Sequence, residues 1–507
     1  MPILDWNGAA AVAEEIAASW AGGPGGAIVL FDVAGPRATA AGGLASVEHA
    51  LPFTPDTPSR YASISKHLLA ATLLLEEIEL RAPLGVLLDG LPGPIGAVPL
   101  GRALDMTGAL PDMMEVLWQQ GVPFTASLSA AEVLAALRRL SGTNAPPGTE
   151  MAYSNTGWRL AQMVLPAQRG VEYAEALRRR LTAPLALDIT LPLDEAEPVP
   201  GLATGYWRDG ATLRRGRYGL HFSASGGLAG SAATLARWAA ALLAGQGPLA
   251  GMLDRLSAPR FFADGTPSAY RLGLVSTSLG DAPLLTHGGS LPGYRNHLIL
   301  APEHGAGVVL LGNREEEALW PALQVMAALL GQPMPRPAGN PTGLFATAEG
   351  PFWAELLPGA IGFMGGHEAL VEDGAGGFRS LPAYLDIRLR PMADGALEGH
   401  VGGAARRLLP VPPGLALDPG LAGRWREPAS GAELLVRPDG TARLPWAGGL
   451  GAETVLTPLP GGRALASLAH AMWRHRPCLW RDADGALRLA GHRARVLRFL
   501  PLGPEVS

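Results

Sequence analysis

The fold is constrained first by where the strand-like runs fall. "GGAIVLFDVAGPRATAAGGLA" (25–45) holds two such runs around Gly35-Pro36, a hairpin signal. Strand patterns return in "LLTHGGS" (284–290), "HLILAP" (297–302) and "GVVLLGN" (307–313). An amphipathic helix is expected over 9–20, and helical patterns dominate from 63 to about 250. One of these, "SAAEVLAALRRLSG" (129–142), starts at Ser129 and stops at Gly142. "EEEALWPALQVMAALLG" (315–331) reads as a closing helix. Strands at both ends with helices between predict one α+β domain whose sheet joins its beginning to its end.

A chain of 507 residues is too long for one core. The proline-rich "GQPMPRPAGNP" (331–341) marks a first boundary, and "VPPGLALDPG" (411–420) a second. Beyond the first, short strand patterns are broken at Asp373-Gly374, Asp394-Gly395, Asp439-Gly440 and Asp484-Gly485, each a hairpin signal. A similar opening follows each boundary, "GLF" at 343–345 and "GRW" at 423–425. The expected organisation is an α+β domain over 1–335, then two antiparallel β-barrel domains over 336–416 and 417–507.

Net charge is −5 and the arginines are scattered, which gives no footprint for nucleic acid. One cysteine, Cys478, excludes an intramolecular disulfide and a thiolate-rich metal site. His287 and His297 lie ten apart, and His221 has no carboxylate at ligand spacing, so neither a metal nor another cofactor is expected. The N-terminal stretch carries Asp5, Glu14 and Glu15 where a signal peptide needs basic then apolar residues. No apolar run reaches the roughly 18 residues of a membrane helix. A soluble, cytoplasmic protein without a membrane partner is expected.

Lysine and arginine together number 40, and a single one of them, Lys66, is lysine. Ser63 lies three residues before it, at the start of an apolar helical pattern, so hydroxyl and amine share a face. The helix N-terminus favours a developing alkoxide at Ser63. Serine needs a neighbouring base to act as a nucleophile. A desolvated lysine can be that base, whereas arginine does not deprotonate. Chance occurrence of Ser-x-x-Lys is common, so the pair needs corroboration.

Two segments supply it. "PPGTEMAYSNTGW" (146–158) contains Tyr153-Ser154-Asn155, and "THGGSLPGYRNH" (286–297) contains His287-Gly288-Gly289. Taken singly, Tyr153 reads as a buried aromatic, Asn155 as a helix cap and His287 as a core histidine beside a glycine bulge. In order and spacing the three segments resemble the Ser-x-x-Lys, Tyr-x-Asn and Lys/His-x-Gly motifs of the penicillin-recognising serine hydrolases, the class C β-lactamase-like group. "ALDMTGALPD" (103–112) and "SASGGLAGSAATLARWA" (223–239) resemble that family's flanking segments. The nearest likeness is to the bacterial D-aminopeptidases, which carry histidine in the third motif and two C-terminal eight-stranded barrels.

The resemblance implies a β-lactamase-like catalytic domain and an acyl-enzyme formed on Ser63. It implies that Lys66 and Tyr153 share the general-base duty, that Asn155 orients Lys66 and the substrate amide, and that His287 holds the Tyr153 hydroxyl or a substrate group. Gly288 and Gly289 then admit the substrate backbone, and the N–H groups of Ser63 and Ser290 form the oxyanion hole. The implied substrate is a small peptide, amide or ester, and the implied assembly a homodimer. In D-aminopeptidases a loop of the last barrel supplies an acidic residue to the site. The matching stretch here, 456–481, contains no aspartate or glutamate, and its first acid is Asp482. Asp482 beside a hairpin turn reads as a surface residue, while His470, Trp473 and Arg474 are candidates to shape a pocket for an uncharged or acidic substrate. An aminopeptidase or amidase releasing N-terminal D-amino acids, an esterase or β-lactamase/DD-peptidase-like hydrolase, and a non-catalytic binding protein of the same fold are the three readings.

Overall fold

A computed structural model describes residues 4–381, 385–445 and 451–502. Residues 1–3 of the first expected domain, 382–384 of the second, and 446–450 and 503–507 of the third lie outside the described residues. Helices named below are α1 (Trp6–Ala18), α2 (Ser65–Leu75), α3 (Met113–Gln119), α4 (Asn155–Arg169), α5 (Ala232–Ala244) and α6 (Leu319–Leu330). Strands of the first sheet are β1 (Gly26–Asp32), β2 (Gly35–Gly42), β3 (Val275–Leu279), β4 (Ala282–Leu291), β5 (Tyr294–Ala301) and β6 (Ala306–Gly312).

The sheet runs in the order β3-β4-β5-β6-β1-β2. β1 pairs antiparallel with β6, Ile28 opposite Leu310, so the sheet joins the two ends of the domain. β1 is buried on both faces, which explains its unbroken apolar run. Alternation still sorts its side chains: Ala27, Val29 and Phe31 enter the core shared with α2, α4 and α5, while Ile28 and Leu30 enter the one shared with α1 and α6. Ser129 and Glu132 form a capping box, but the helix they open, Ala130–Leu137, stops before the expected Gly142. No helix among the described residues is long and apolar enough to cross a membrane.

Eight antiparallel strands from Gly343–Ala346 to Ala404–Pro410 close into a barrel. Among the described residues nine more strands, from Gly423–Arg426 to Leu497–Pro501, form a nearly closed sheet, where the likeness implies eight. The four Asp-Gly pairs all sit between paired strands, with each glycine at φ between 77° and 85°. The similar openings are structurally equivalent. Gly343 and Gly423 both have positive φ (125° and 144°), and Phe345 and Trp425 each pair with a proline of the last strand, Pro410 and Pro501.

A hairpin, Leu468–His470 with Trp473–His475, leaves the second barrel and lies on the first domain. Trp473 meets Phe124 edge-on at 4.7 Å, and His475 stacks on Trp118 at 5.0 Å. These aromatic contacts hold the hairpin on Trp118 of α3 and on Phe124 beyond its end.

Candidate active site

Ser63 stands on a single 3₁₀ turn, Ala62–Ile64, that runs into α2. Within 61–70 it is the one residue that is not buried. Ala62 before it has φ 52°, a left-handed conformation that costs an L-residue ~1–2 kcal/mol. Strain of this kind persists where the surroundings impose it. Here β4 does so: a Cβ added at Gly289 would lie 2.3 Å from the Tyr61 carbonyl oxygen and 3.2 Å from Ala62 Cβ. A glycine at 289 is what lets the strand approach the turn.

Lys66 is fully buried one turn on. Its Nζ lies 3.1 Å from Ser63 Oγ, 2.9 Å from Asn155 Oδ1 and 2.6 Å from the Ser225 carbonyl oxygen. The last two atoms can only accept hydrogen bonds. A neutral amine has two N–H groups and one lone pair, so those acceptors leave the lone pair aimed at the Ser63 hydroxyl. Burial, reinforced by the positive charge of Arg493 and opposed by Asp112, holds the Lys66 pKa well below the ordinary lysine range.

Asn155 opens α4, yet the cap is Ser154, whose hydroxyl accepts from the Thr156 N–H at 3.2 Å. The Asn155 side chain is thereby left for Lys66. Asp112 fixes its orientation, accepting from the backbone N–H at 2.7 Å and from Nδ2 at 3.0 Å. The other oxygen of the same carboxylate caps α3 through the Met114 and Glu115 N–H groups.

The Tyr153 hydroxyl hydrogen-bonds to Ser63, and burial pushes its pKa up to about 12, so it is a phenol at neutral pH. Its ring meets Tyr270 edge-on at 6.2 Å and His287 at 6.4 Å. His287 is fully buried, with Nε2 2.8 Å from the Tyr270 hydroxyl and Nδ1 2.6 Å from the Gly288 carbonyl oxygen. Burial first, and the nearby Lys66 amine second, hold its pKa well below the ordinary histidine range. The carbonyl requires the proton on Nδ1, which leaves Nε2 to accept from Tyr270.

β3 pairs with β4 through Thr286 and no further, so residues 287–291 pair with β5 on one edge and with no strand among the described residues on the other. Gly288, Gly289 and the exposed Ser290 belong to this edge. In the 456–481 stretch, Trp473 is a packing residue and Arg474 donates to the carbonyl groups of Ala471 and Trp473; just beyond it, Asp482 pairs with Arg488. Among the described residues no three His, Cys, Asp or Glu side chains converge to hold a metal.

Four participants were not singled out in the sequence: Asp112, Ser225 through its carbonyl, Tyr270 and Arg493. The first two lie in flanking segments that carry the resemblance, so a signal existed for them. Arg493 enters from the second barrel, its guanidinium 4.7 Å from the centre of the Tyr153 ring.

A beta-lactamase family model matches residues 12–328. The chain belongs to the beta-lactamase family. It is 29% identical over 336 residues to a D-aminopeptidase of Gluconobacter oxydans (strain 621H), covering 64% of this chain and 63% of that one. A D-aminopeptidase of Cereibacter sphaeroides (strain ATCC 17029 / ATH 2.4.9) is 26% identical over 325 residues, 62% of each chain. The match thus spans under two thirds of these relatives' length. Among solved structures, the octameric penicillin-binding protein homologue from Pyrococcus abyssi superposes with TM-score 0.55 at 16% identity, covering 94% of this chain and 95% of that one. D-amino acid amidase from Ochrobactrum anthropi SV3 superposes with TM-score 0.54 at 23% identity, covering 64% and 98%. The former extends the shared fold through both barrels.

Proposed function

We propose that this protein is a serine hydrolase working through an acyl-enzyme, and that it releases N-terminal D-amino acids from small peptides or amides. The observation that carries the mechanism is the Lys66 amine, whose two acceptor-only partners leave its lone pair for Ser63. Lys66 takes the Ser63 proton as Oγ attacks the substrate carbonyl. The Ser63 and Ser290 N–H groups stabilise the oxyanion, preorganised donors that contribute several kcal/mol. Tyr153, bonded to Ser63, carries the proton to the leaving nitrogen; Asn155 and His287 position Lys66 and the Tyr153–Tyr270 pair. Water then cleaves the ester by the same route. The unpaired edge at Gly288–Ser290 receives an extended substrate.

The choice of D-amino acyl substrates is supported by the curated D-aminopeptidases. A second reading, an esterase or a β-lactamase/DD-peptidase-like hydrolase, is favoured by the absence of any acid in 454–481 to meet a substrate ammonium. A cytoplasmic homodimer completes the proposal.

The test is turnover of D-alanine and L-alanine p-nitroanilides and p-nitrophenyl acetate, with Ser63→Ala as control. D-selective amide turnover lost in the control is expected. Ester turnover alone selects the second reading, and turnover that survives Ser63→Ala contradicts both.

A further inference from the structure

Arg493 lies between the strands Leu487–Ala490 and Leu497–Pro501, in a loop fastened to the first domain through its backbone. Its carbonyl accepts from the Asp112 N–H and from Asn144 Nδ2, both at 2.9 Å, and its N–H donates to Glu115. The Ala494 carbonyl accepts from Gln119 Nε2 at 3.1 Å, and the Arg495 N–H donates to Asn144 Oδ1 at 2.8 Å. So many long-range contacts on three residues fix where the loop stands.

The Arg493 guanidinium is the exception to this pairing. It is half-buried over Tyr153, and no described residue forms an ion pair or hydrogen bond with it. Glu115 and Glu368 lie close enough to feel its charge, but burial favours the neutral form of both, Glu115 being raised to about 7. A partly dehydrated guanidinium with its fork of donors unfilled is suited to a carboxylate. An ammonium would be repelled there.

In the proposed reaction Tyr153, bonded to Ser63, gives the proton to the leaving nitrogen, which puts the departing group on the side of the site where Arg493 stands over the Tyr153 ring. In a peptide, one Cα separates the scissile nitrogen from the carboxylate of the departing residue. We propose that Arg493 binds the α-carboxylate of the departing residue, so that the site prefers a dipeptide with a free C-terminus to the corresponding amide. The proposal rests on the acyl-enzyme reading and adds the leaving-group class to it.

Two substrate pairs test it, each with one acyl group and a leaving group with or without a carboxylate. They are D-alanyl-glycine against D-alanyl-glycinamide, and 3-acetoxybenzoate against phenyl acetate. Wild type should show a kcat/KM at least about tenfold higher for the carboxylate member of a pair, the scale of one charge-assisted hydrogen bond. Arg493→Gln should bring that ratio near one through KM, and Arg493→Lys should keep part of it. A wild-type ratio near one, or a ratio unmoved in Arg493→Gln, overturns the proposal and leaves the acyl-enzyme reading standing. No turnover of any of the four by wild type overturns both, because no departing group then exists for Arg493 to bind.

Discussion

Lys66 Nζ lies 2.9 Å from Asn155 Oδ1, and Asn155 Nδ2 in turn lies 3.0 Å from Asp112 Oδ2. An amide can face its oxygen to the amine only because a carboxylate holds its other end. The chain from Asp112 to Ser63 is thus a directed row of donors and acceptors, and each link can be broken separately.

Lys66→Arg replaces the neutral amine with a permanent cation and removes the base. Turnover should fall by about 10²- to 10⁴-fold, the range of a general base. The Tyr153 and Trp158 rings lie 5.1 and 5.9 Å from Nζ, so the larger head also overpacks the site, by ~1–3 kcal/mol. Kinetics and thermal melting, measured together, separate the two effects; a stable variant with wild-type kcat removes Lys66 as the base.

The pH dependence follows from the lowered Lys66 pKa. The base is free above that pKa and lost as pH falls through it, so the acidic limb of kcat/KM should lie below the ordinary lysine range. Arg493→Gln deletes a nearby cation and should move the limb upward. A pH–rate profile of both proteins checks the sign.

Asp112→Asn keeps the cap of α3, since asparagine caps as well as aspartate. It loses the acceptor that aligns Asn155. Expected are a stability loss of about 1–2 kcal/mol and a fall of about 10²-fold in kcat. Denaturation with kinetics would show the kcat loss to be the larger part.

Gly289→Ala drives a methyl to within 2.3 Å of the Tyr61 carbonyl, so the strand and the Ser63 turn must separate. A misplacement near 1 Å lowers kcat/KM by about 10²-fold, and the strain costs about 1–3 kcal/mol. Gly288→Ala, on the neighbouring residue of the same edge, is the comparison.

Burial raises the Glu115 pKa from 4.5 to about 7. Between those values the folded protein holds a proton that the unfolded chain releases, so this stabilisation is present at low pH and lost as pH rises toward about 7. The full effect is about 3 kcal/mol. In Glu115→Gln the group stays neutral and still accepts from the Arg493 N–H. Its melting temperature should therefore gain on wild type between pH 5 and pH 8, and equal pH slopes would contradict the assignment.

Much of this was legible in the sequence because it is local. The Ser63–Lys66 spacing, the Asp-Gly hairpins and the cap at Ser129 each depend on residues a few positions apart. The joining of 25–45 to 306–312 was readable because a strand needs a partner, and the intervening helices supply none. The remainder is tertiary. Nothing near His287 announces Tyr270 as its partner. Nothing in "GHRAR" announces that Arg493 will stand over Tyr153, which lies in another domain. The expected approach of the last barrel through 456–481 gave the hairpin that docks on Trp118 and Phe124. The charged side chain arrives instead from the loop before the final strand.

Hydrolysis by this site requires a covalent intermediate on Ser63. This is tested most directly by quenching the protein during turnover of D-alanine p-nitroanilide and mapping the adduct by mass spectrometry. A D-alanyl mass increment is expected on the peptide containing Ser63, absent in Ser63→Ala. Turnover with no adduct, or an adduct on another residue, would contradict it.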